Sequence, residues 1–302
     1  MYKFLFSISY FFIFSTLVAQ SPGGVSSDLQ IWLKADAGTS GTADGDLLTY
    51  WNDQSGNGTN ATQSGGASAQ PRFKTNIMNG HPAIEFNGGA RFFNINYSSL
   101  GSTYTIITVA KRVDNGTLRY VVGVQSLSPR GMHIGYSSNT NLRMSEGAAG
   151  CNADVTVSGY DAATEVPVIL MGETNGTSSR TVTEIENGST LSATNSTSTS
   201  GPGMTNGVIG RGFSTTGLSG YVSEVICYSR ALTSAEKASI YSYLSVKYGI
   251  TVAVSEHDYY DDTTYSYDIF GIGKNTAQGL NQTSSSSENA DGMVTISSPS
   301  SL

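Results

Sequence analysis

Residues 53–58, "DQSGNG", place oxygen-bearing side chains at alternate positions: Asp53, Ser55 and Asn57, followed by Gly58. That spacing is the first half of a calcium loop, with glycine where the backbone must turn sharply. The position at which a bidentate glutamate would complete the loop is Ser64. A structural Ca²⁺ here therefore needs a carboxylate from elsewhere in the chain, and Glu224 is the candidate. The same residues also form Asx turns that cap their own backbone without any ion. A second pair of chemically competent groups is Glu184 and Glu186, two carboxylates on one face of a strand. Retaining glycoside hydrolysis uses two carboxylates about 5 Å apart. This strand, however, ends at the Asn187-Gly188 turn and reads as a solvent-facing hairpin. His81, His133 and His257 are scattered, and no Gly-x-Ser-x-Gly context supplies a nucleophile.

Trp32 and Trp51 alternate with apolar neighbours, so they read as core residues with sugar stacking as the alternative. Tyr259, Tyr260, Tyr265 and Tyr267 interleave with Asp258, Asp261, Asp262 and Asp268, a composition that suits either an adhesive surface or a solvated linker. Cys151 and Cys227, the two cysteines, either form one disulfide in an oxidising compartment or remain separate thiols.

The elements that would position these groups are β-strands. Residues 29–36, 47–53, 82–88, 91–95 and 102–113 are short apolar-alternating runs separated by Gly, Asn and Ser, and similar runs continue to residue 228. The longest, 102–113, ends at Asp114-Asn115-Gly116, a hairpin signal. A dozen or so such strands without intervening helical periodicity imply an all-β, two-sheet antiparallel jelly-roll sandwich. The exception is 233–248. Thr233 and Glu236 form a capping-box pattern, Ile240, Tyr241, Leu244 and Tyr248 share a helical face, and Gly249 supplies a stop. One helix is expected there, laid on an edge or face of the sandwich.

Residues 1–20 have the anatomy of a signal peptide: one lysine, an apolar run, then Ala19-Gln20 before a polar segment. The domain reading is 1–20 leader, 21–250 sandwich, and 251–302 a linker with the start of a second β domain. Charged residues are only 13% of the chain and the formal net charge is −7. With no basic cluster in sequence, a nucleic-acid partner is not expected. After leader removal no membrane insertion is expected either, and the location is secreted or cell-surface.

"GYVSEVICYSRALTSAEKASIYSYLSVKYGI" (220–250) resembles the closing signature of laminin-G-like, concanavalin A-type jelly rolls: a last core strand with an acidic residue, Tyr-x-Arg-Ala-Leu, and a capped helix. "LQIWLKADAG", "WNDQSGNGTNAT", "HPAIEFNGGARFF" and "TEIENGSTL" are similar to earlier stretches of that family, in the same order, so the resemblance covers about residues 24–250. The ending "YLSVKYGI" with "YDIFGIGKNTAQGLNQTSSS" is similar to large exported proteins of Bacteroidetes-type bacteria. The resemblance implies a sandwich module of secreted or surface proteins. The glucanase branch carries Glu-x-Asp-x-Glu on one strand, whereas here Gly188 stands at the third position. The function expected is a non-catalytic recognition or adhesion module for carbohydrate or a surface protein, with a polysaccharide hydrolase or lyase, or a ligand-free spacer, as alternatives.

Overall fold

A computed structural model describes residues 20–113, 119–125, 131–138, 141–147, 155–157, 166–176, 178–186, 188–196, 205–212, 217–252, 271–276, 280–289 and 292–298. Two eight-stranded antiparallel sheets dominate it. The first runs, in spatial order, Ser189–Asn195, Arg180–Glu186, Pro167–Thr174, Tyr104–Arg112, Ser219–Tyr228, His81–Asn87 and Arg72–Met78, with Leu29–Lys34 also paired to Ser219–Tyr228. The second runs Val155–Val157, Asn141–Gly147, Gly131–Ser138, Arg119–Val124, Gly207–Ile209, Phe93–Ile95, Ala61–Thr62 and Tyr50–Trp51. The all-β sandwich expected from the sequence is thus the observed architecture.

Alternation along the strands divides the apolar residues between two cores. Ile106, Ala110, Val182, Val222, Val225 and Cys227 of the first sheet meet Trp51, Phe93, Val122, Ile134 and Met144 of the second. Their neighbours Ile107, Val109, Ile169, Met171 and Ile226 point the other way, into a second cluster. There they meet Ile240, Tyr241, Tyr243, Leu244 and Tyr248 of the helix Ser234–Tyr248. The first sheet is consequently covered on both faces, as a third layer requires.

The helix starts as its sequence dictates. Thr233 caps it, accepting from the Glu236 amide while the Glu236 carboxylate accepts from the Thr233 amide, and Gly249 ends it at φ 67°. The Arg-Ala-Leu turn before it is held by Arg230, whose guanidinium bonds both Glu236 oxygens at 2.7 Å and approaches Asp28 at 3.2 Å. Arg230, together with the capping hydrogen bonds from Thr233, holds the Glu236 carboxyl down at about 2. Pro22–Gly24 tucks under the helix, and a Cβ on Gly23 would stand 2.6 Å from the Ser239 carbonyl oxygen, so only glycine fits.

The central strand Ser219–Tyr228 holds the fold's main irregularity. On one side it pairs throughout with Tyr104–Arg112; on the other its first half pairs with His81–Asn87 and its second half with Leu29–Lys34. The register moves from Val222↔Ala110 directly to Glu224↔Val109, so Ser223 is a bulge residue at the point where the partner changes. Ser223 joins all three pieces: its hydroxyl donates to the Pro82 carbonyl at 3.0 Å and its carbonyl accepts from the Ala35 amide at 2.8 Å.

Two local expectations change, and one pairing is added. Tyr104–Arg112 and Arg119–Val124 belong to different sheets and so do not pair as a hairpin; the Asp114-Asn115-Gly116 signal itself lies outside the described residues. Ser284–Asn289, an all-polar run, pairs with Gly292–Ser297. Glu184, expected at a solvent-facing hairpin, is buried, because its strand is followed by Ser189–Asn195 within the same sheet and its side chain alternates with Val182 toward the other sheet.

Thr233→Ala removes the cap acceptor and is expected to lower unfolding free energy by about 1 kcal/mol, read as a urea-midpoint shift with unchanged slope.

Candidate functional site

The residues that could do chemistry fall into three buried or semi-buried networks and one open groove. The first surrounds Glu224. The Ser223 bulge turns this carboxylate toward the helix, where it is fully buried. Its Oε1 accepts from Trp32 Nε1 at 2.6 Å and from the Tyr243 hydroxyl at 3.0 Å. Its Oε2 accepts from Lys247 Nζ at 2.9 Å and the Tyr248 hydroxyl at 2.7 Å. Tyr243 and Lys247 are one helical turn apart and so meet the same point on the sheet. Lys247, 2% exposed, also contacts Asp36 Oδ2 at 3.1 Å. Burial opposes its charge, but the Glu224 carboxylate, with Tyr243, Tyr248 and Asp36, more than compensates and holds the ammonium well above the ordinary lysine range. Asp36 goes down: its desolvation opposes this, but Lys247, Lys34 and His81 together outweigh it. His81 at the edge of this network is pushed down to about 4 by burial and by Lys247.

A second network occupies the interior between the sheets. Arg180 pairs with Glu146, both fully buried, and Tyr104 donates to Glu146 Oε1 at 3.3 Å. Nearby, burial and the Glu184 carboxylate push the Tyr136 hydroxyl up, and the Arg112 guanidinium lies 4.5 Å over the Tyr136 ring. Glu184 is 1% exposed and Glu186 half-buried, so the pair does not face one solvent-filled cleft as a hydrolase requires.

Third is the Asp53 loop. Asp53 Oδ1 accepts from the Trp32 and Ser55 amides at 2.8 and 2.9 Å, and Oδ2 from the Ser55 hydroxyl and the Thr59 amide at 2.7 and 3.1 Å. Asn57 donates to the Leu29 carbonyl at 2.8 Å. These oxygens already carry hydrogen-bond donors, and Glu224 is engaged by Lys247, so the donor set fits an Asx turn and does not fit a calcium site. Among the described residues no three His, Cys, Asp or Glu side chains cluster as metal ligands. Trp32 and Trp51 are both fully buried, Trp32 edge-on to Tyr243 and Trp51 against Phe93. Cys227 is a buried free thiol; Cys151 and the Tyr/Asp segment 258–268 lie outside the described residues.

The open feature is a groove of about 390 Å³ on the second sheet, lined by Asn60, Thr62, Asn94, Asn96, Gln125 and Asn206 among others. Asn94 alternates outward between the core residues Phe93 and Ile95 and is paired with Thr62 across the strands. Three of the amides are oriented by their oxygens. Asn60 Oδ1 accepts from the Asp53 amide at 2.9 Å, Asn96 Oδ1 from the Ser98 amide at 2.9 Å, and Asn94 Oδ1 from Gln125 Nε2. Their N–H₂ groups have no hydrogen-bond partner among the described residues and are the donors left to the groove. Sequence reading missed this site, because four asparagines dispersed over 146 positions carry no spacing signal in an Asn-rich chain.

Residues 236–301 match the family described as "Domain of unknown function (DUF8202)", a match that begins inside the helix. No curated protein matches the chain in sequence. Among solved structures, the binding domain of Paraclostridial Mosquitocidal Protein 1 is similar at TM-score 0.52 and 15% identity, over 75% of this chain and 56% of that one. Domain 4 of AbnA, a GH43 extracellular arabinanase from Geobacillus stearothermophilus solved with arabinotriose, gives 0.49 and 16%, over 68% and 94%. The Ruminococcus gnavus IT-sialidase CBM40 gives 0.40 and 15%, over 51% and 93%. At such identities the likeness speaks to the β-sandwich fold alone.

Two outcomes test the buried networks. Lys247→Met strands the Glu224 charge and is expected to cost about 3–5 kcal/mol, while Glu224→Gln combined with Lys247→Met costs clearly less than the two singles added; additive losses in denaturant melts would contradict the pairing. The second concerns pH. His81 and His133 both sit at about 4 when folded, chiefly through burial, against an ordinary 6.5. Both are neutral in either state above pH 6.5, so their contribution is complete there. As pH falls from 6.5 to 4 the unfolded chain takes up protons first, and stability drops by on the order of 3 kcal/mol for each histidine. His133→Gln is expected to flatten that slope in melts between pH 7 and 4.

Proposed function

We propose that this chain is a non-catalytic, exported recognition module, laminin-G-like in kind, from a Bacteroidetes-type surface protein, and that it binds carbohydrate through the amide groove of its second sheet. The observation that carries this reading is the set of amide N–H₂ donors on Asn60, Asn94 and Asn96, each fixed by a hydrogen bond to its own carbonyl oxygen. Such donors are pre-oriented, so a ligand does not have to order them, and uncharged amides give up bound water at modest cost. Saccharide hydroxyl and ring oxygens are the acceptors that match them. Among the described residues the groove has no aromatic lining and no titratable group, which favours reversible binding of a neutral sugar face over bond cleavage. The carboxylates support the same conclusion: Glu146, Glu184 and Glu224 are buried, and Glu146 and Glu224 are ion-paired. The Asp53 turn belongs to the site indirectly, since its amide orients Asn60.

A glycan array probed with the full chain is expected to give saturable hits, and Asn94→Ala with Asn96→Ala to weaken them by roughly tenfold or more while leaving the melting temperature within a few degrees. Silence across the array, or hits that survive both substitutions, would sink the groove as the binding site. Release of reducing ends from any bound polysaccharide would sink the non-catalytic reading.

A further inference from the structure

The helix covers the outward face of the first sheet only in part. The fully buried part of its interface on the two central strands reaches the row containing Val109 and Glu224, with Tyr221 packed half-buried at its margin. One row further along the strands the same outward face carries, in hydrogen-bonded register, Arg72, Glu85, Tyr221 and Lys111 on four neighbouring strands. Alternation requires this: Ile84 and Phe86 point into the inter-sheet core, so Glu85 between them points out. Together with Asn87 and Arg91, three of these four line a cleft of about 340 Å³.

Its chemistry differs from that of the amide groove on the opposite sheet. The chain holds only 16 lysines and arginines against 23 acids, yet two arginines meet here. Arg91 is held in place by a hydrogen bond from one guanidinium nitrogen to the Gln70 carbonyl and by its amide on Asn87 Oδ1 at 3.0 Å. A guanidinium carries five donors, so most of those on Arg91 remain for a ligand. Arg72 is exposed and makes no side-chain hydrogen bond or ion pair among the described residues, even though Glu85 is its cross-strand neighbour. Burial and the Arg72 charge push the Arg91 guanidinium down from its ordinary range, and Glu85 offsets this in part. Two like charges that approach one another, offset only in part by the single carboxylate of Glu85, leave a net positive position where an external anion is stabilised. The Tyr221 ring, half-buried on the adjoining strand, supplies a flat apolar surface beside them.

We propose that this cleft is a second ligand site, taking an acidic saccharide whose carboxylate or sulfate is held by Arg72 and Arg91 while its ring lies on Tyr221. Asn87 and Glu85 then face the hydroxyl groups, and Glu85, as a like charge to the ligand, limits affinity. The site is independent of the amide groove, since the two open on outward faces of different sheets.

The test titrates the full chain with an oligogalacturonide, a sulfated dextran and a neutral dextran, each at low and high salt. At least one acidic polymer binds and the neutral one does not; the preferred polymer identifies carboxylate or sulfate as the anion. Arg72→Ala and Arg91→Ala each weaken binding by roughly tenfold or more, Glu85→Gln tightens it, and added salt weakens it. Asn94→Ala with Asn96→Ala leaves it unchanged, which separates this site from the groove. Binding of neither acidic polymer, equal binding of neutral dextran, or equal binding of polyglutamate would overturn the proposal. So would affinity that is indifferent to both arginines or weakened by Glu85→Gln. All three cleft variants are surface changes, and retention of the wild-type melting temperature confirms that each is folded.

Discussion

The structure turns on one buried charge. Glu224 lies on the central strand, and the bulge at Ser223 aims it away from the sandwich core and toward a layer that must then exist to receive it. A carboxylate taken out of water costs several kcal/mol unless it is paired and fully hydrogen-bonded. The partners come from two distant places. Trp32 arrives on the strand that completes the second half of the Glu224 strand's edge, and Tyr243, Lys247 and Tyr248 arrive on the helix. First strand, last strand and helix are thereby fixed to each other at one point. Displacing any of them leaves a buried charge without a partner.

That arrangement explains where ligands can and cannot go. The first sheet is sandwiched between a sheet and a helix, so its carboxylates are buried and committed to structure. The Arg180–Glu146 pair, with the Tyr104 hydroxyl, does for the inter-sheet space what Lys247 does for the helix interface: it lets charged groups occupy the interior by satisfying one another. Catalysis by such groups would require a water-filled approach, and the layers close it off. Among the described residues, recesses open on the outer face of the second sheet and on the rim of the first beyond the helix.

Sequence reading succeeds in this chain wherever the determinant is local. The capping box Thr233–Glu236, the 240/241/244/248 stripe and the αL glycine at 249 all act within a few residues, and the helix forms as they dictate. The strands are legible for the same reason. That Tyr104–Arg112 and Arg119–Val124 belong to different sheets is not legible, because local chemistry says nothing of which sheet receives the next strand. Glu224 could be singled out from its place in the closing signature, but its partner could not. Lys247 reads as an ordinary solvent-facing helix residue, and only the bulge, which shifts the alternation by one, brings carboxylate and ammonium together. Lys247 and Tyr243 are one turn apart, beside the apolar stripe. A helix face that includes both is wider than the stripe alone, and that extra width was the available clue.

The low charge content gains a physical meaning from the two recesses. A surface built from Asn, Thr, Ser and Gly offers donors and acceptors that exchange water for ligand hydroxyls at nearly equal free energy, so affinity depends on how well the donors are oriented beforehand. In the groove that orientation is supplied by backbone amides at Asp53 and Ser98 and by Gln125, each holding one amide oxygen. The Asp53 loop therefore serves the site through its backbone: its carboxylate closes the turn, and the turn's own N–H sets Asn60. Against such a neutral background two arginines on one rim, only partly offset by Glu85, stand out electrostatically over a Debye length of about 8 Å. In a chain rich in surface lysine and glutamate the same pair would be lost among its neighbours.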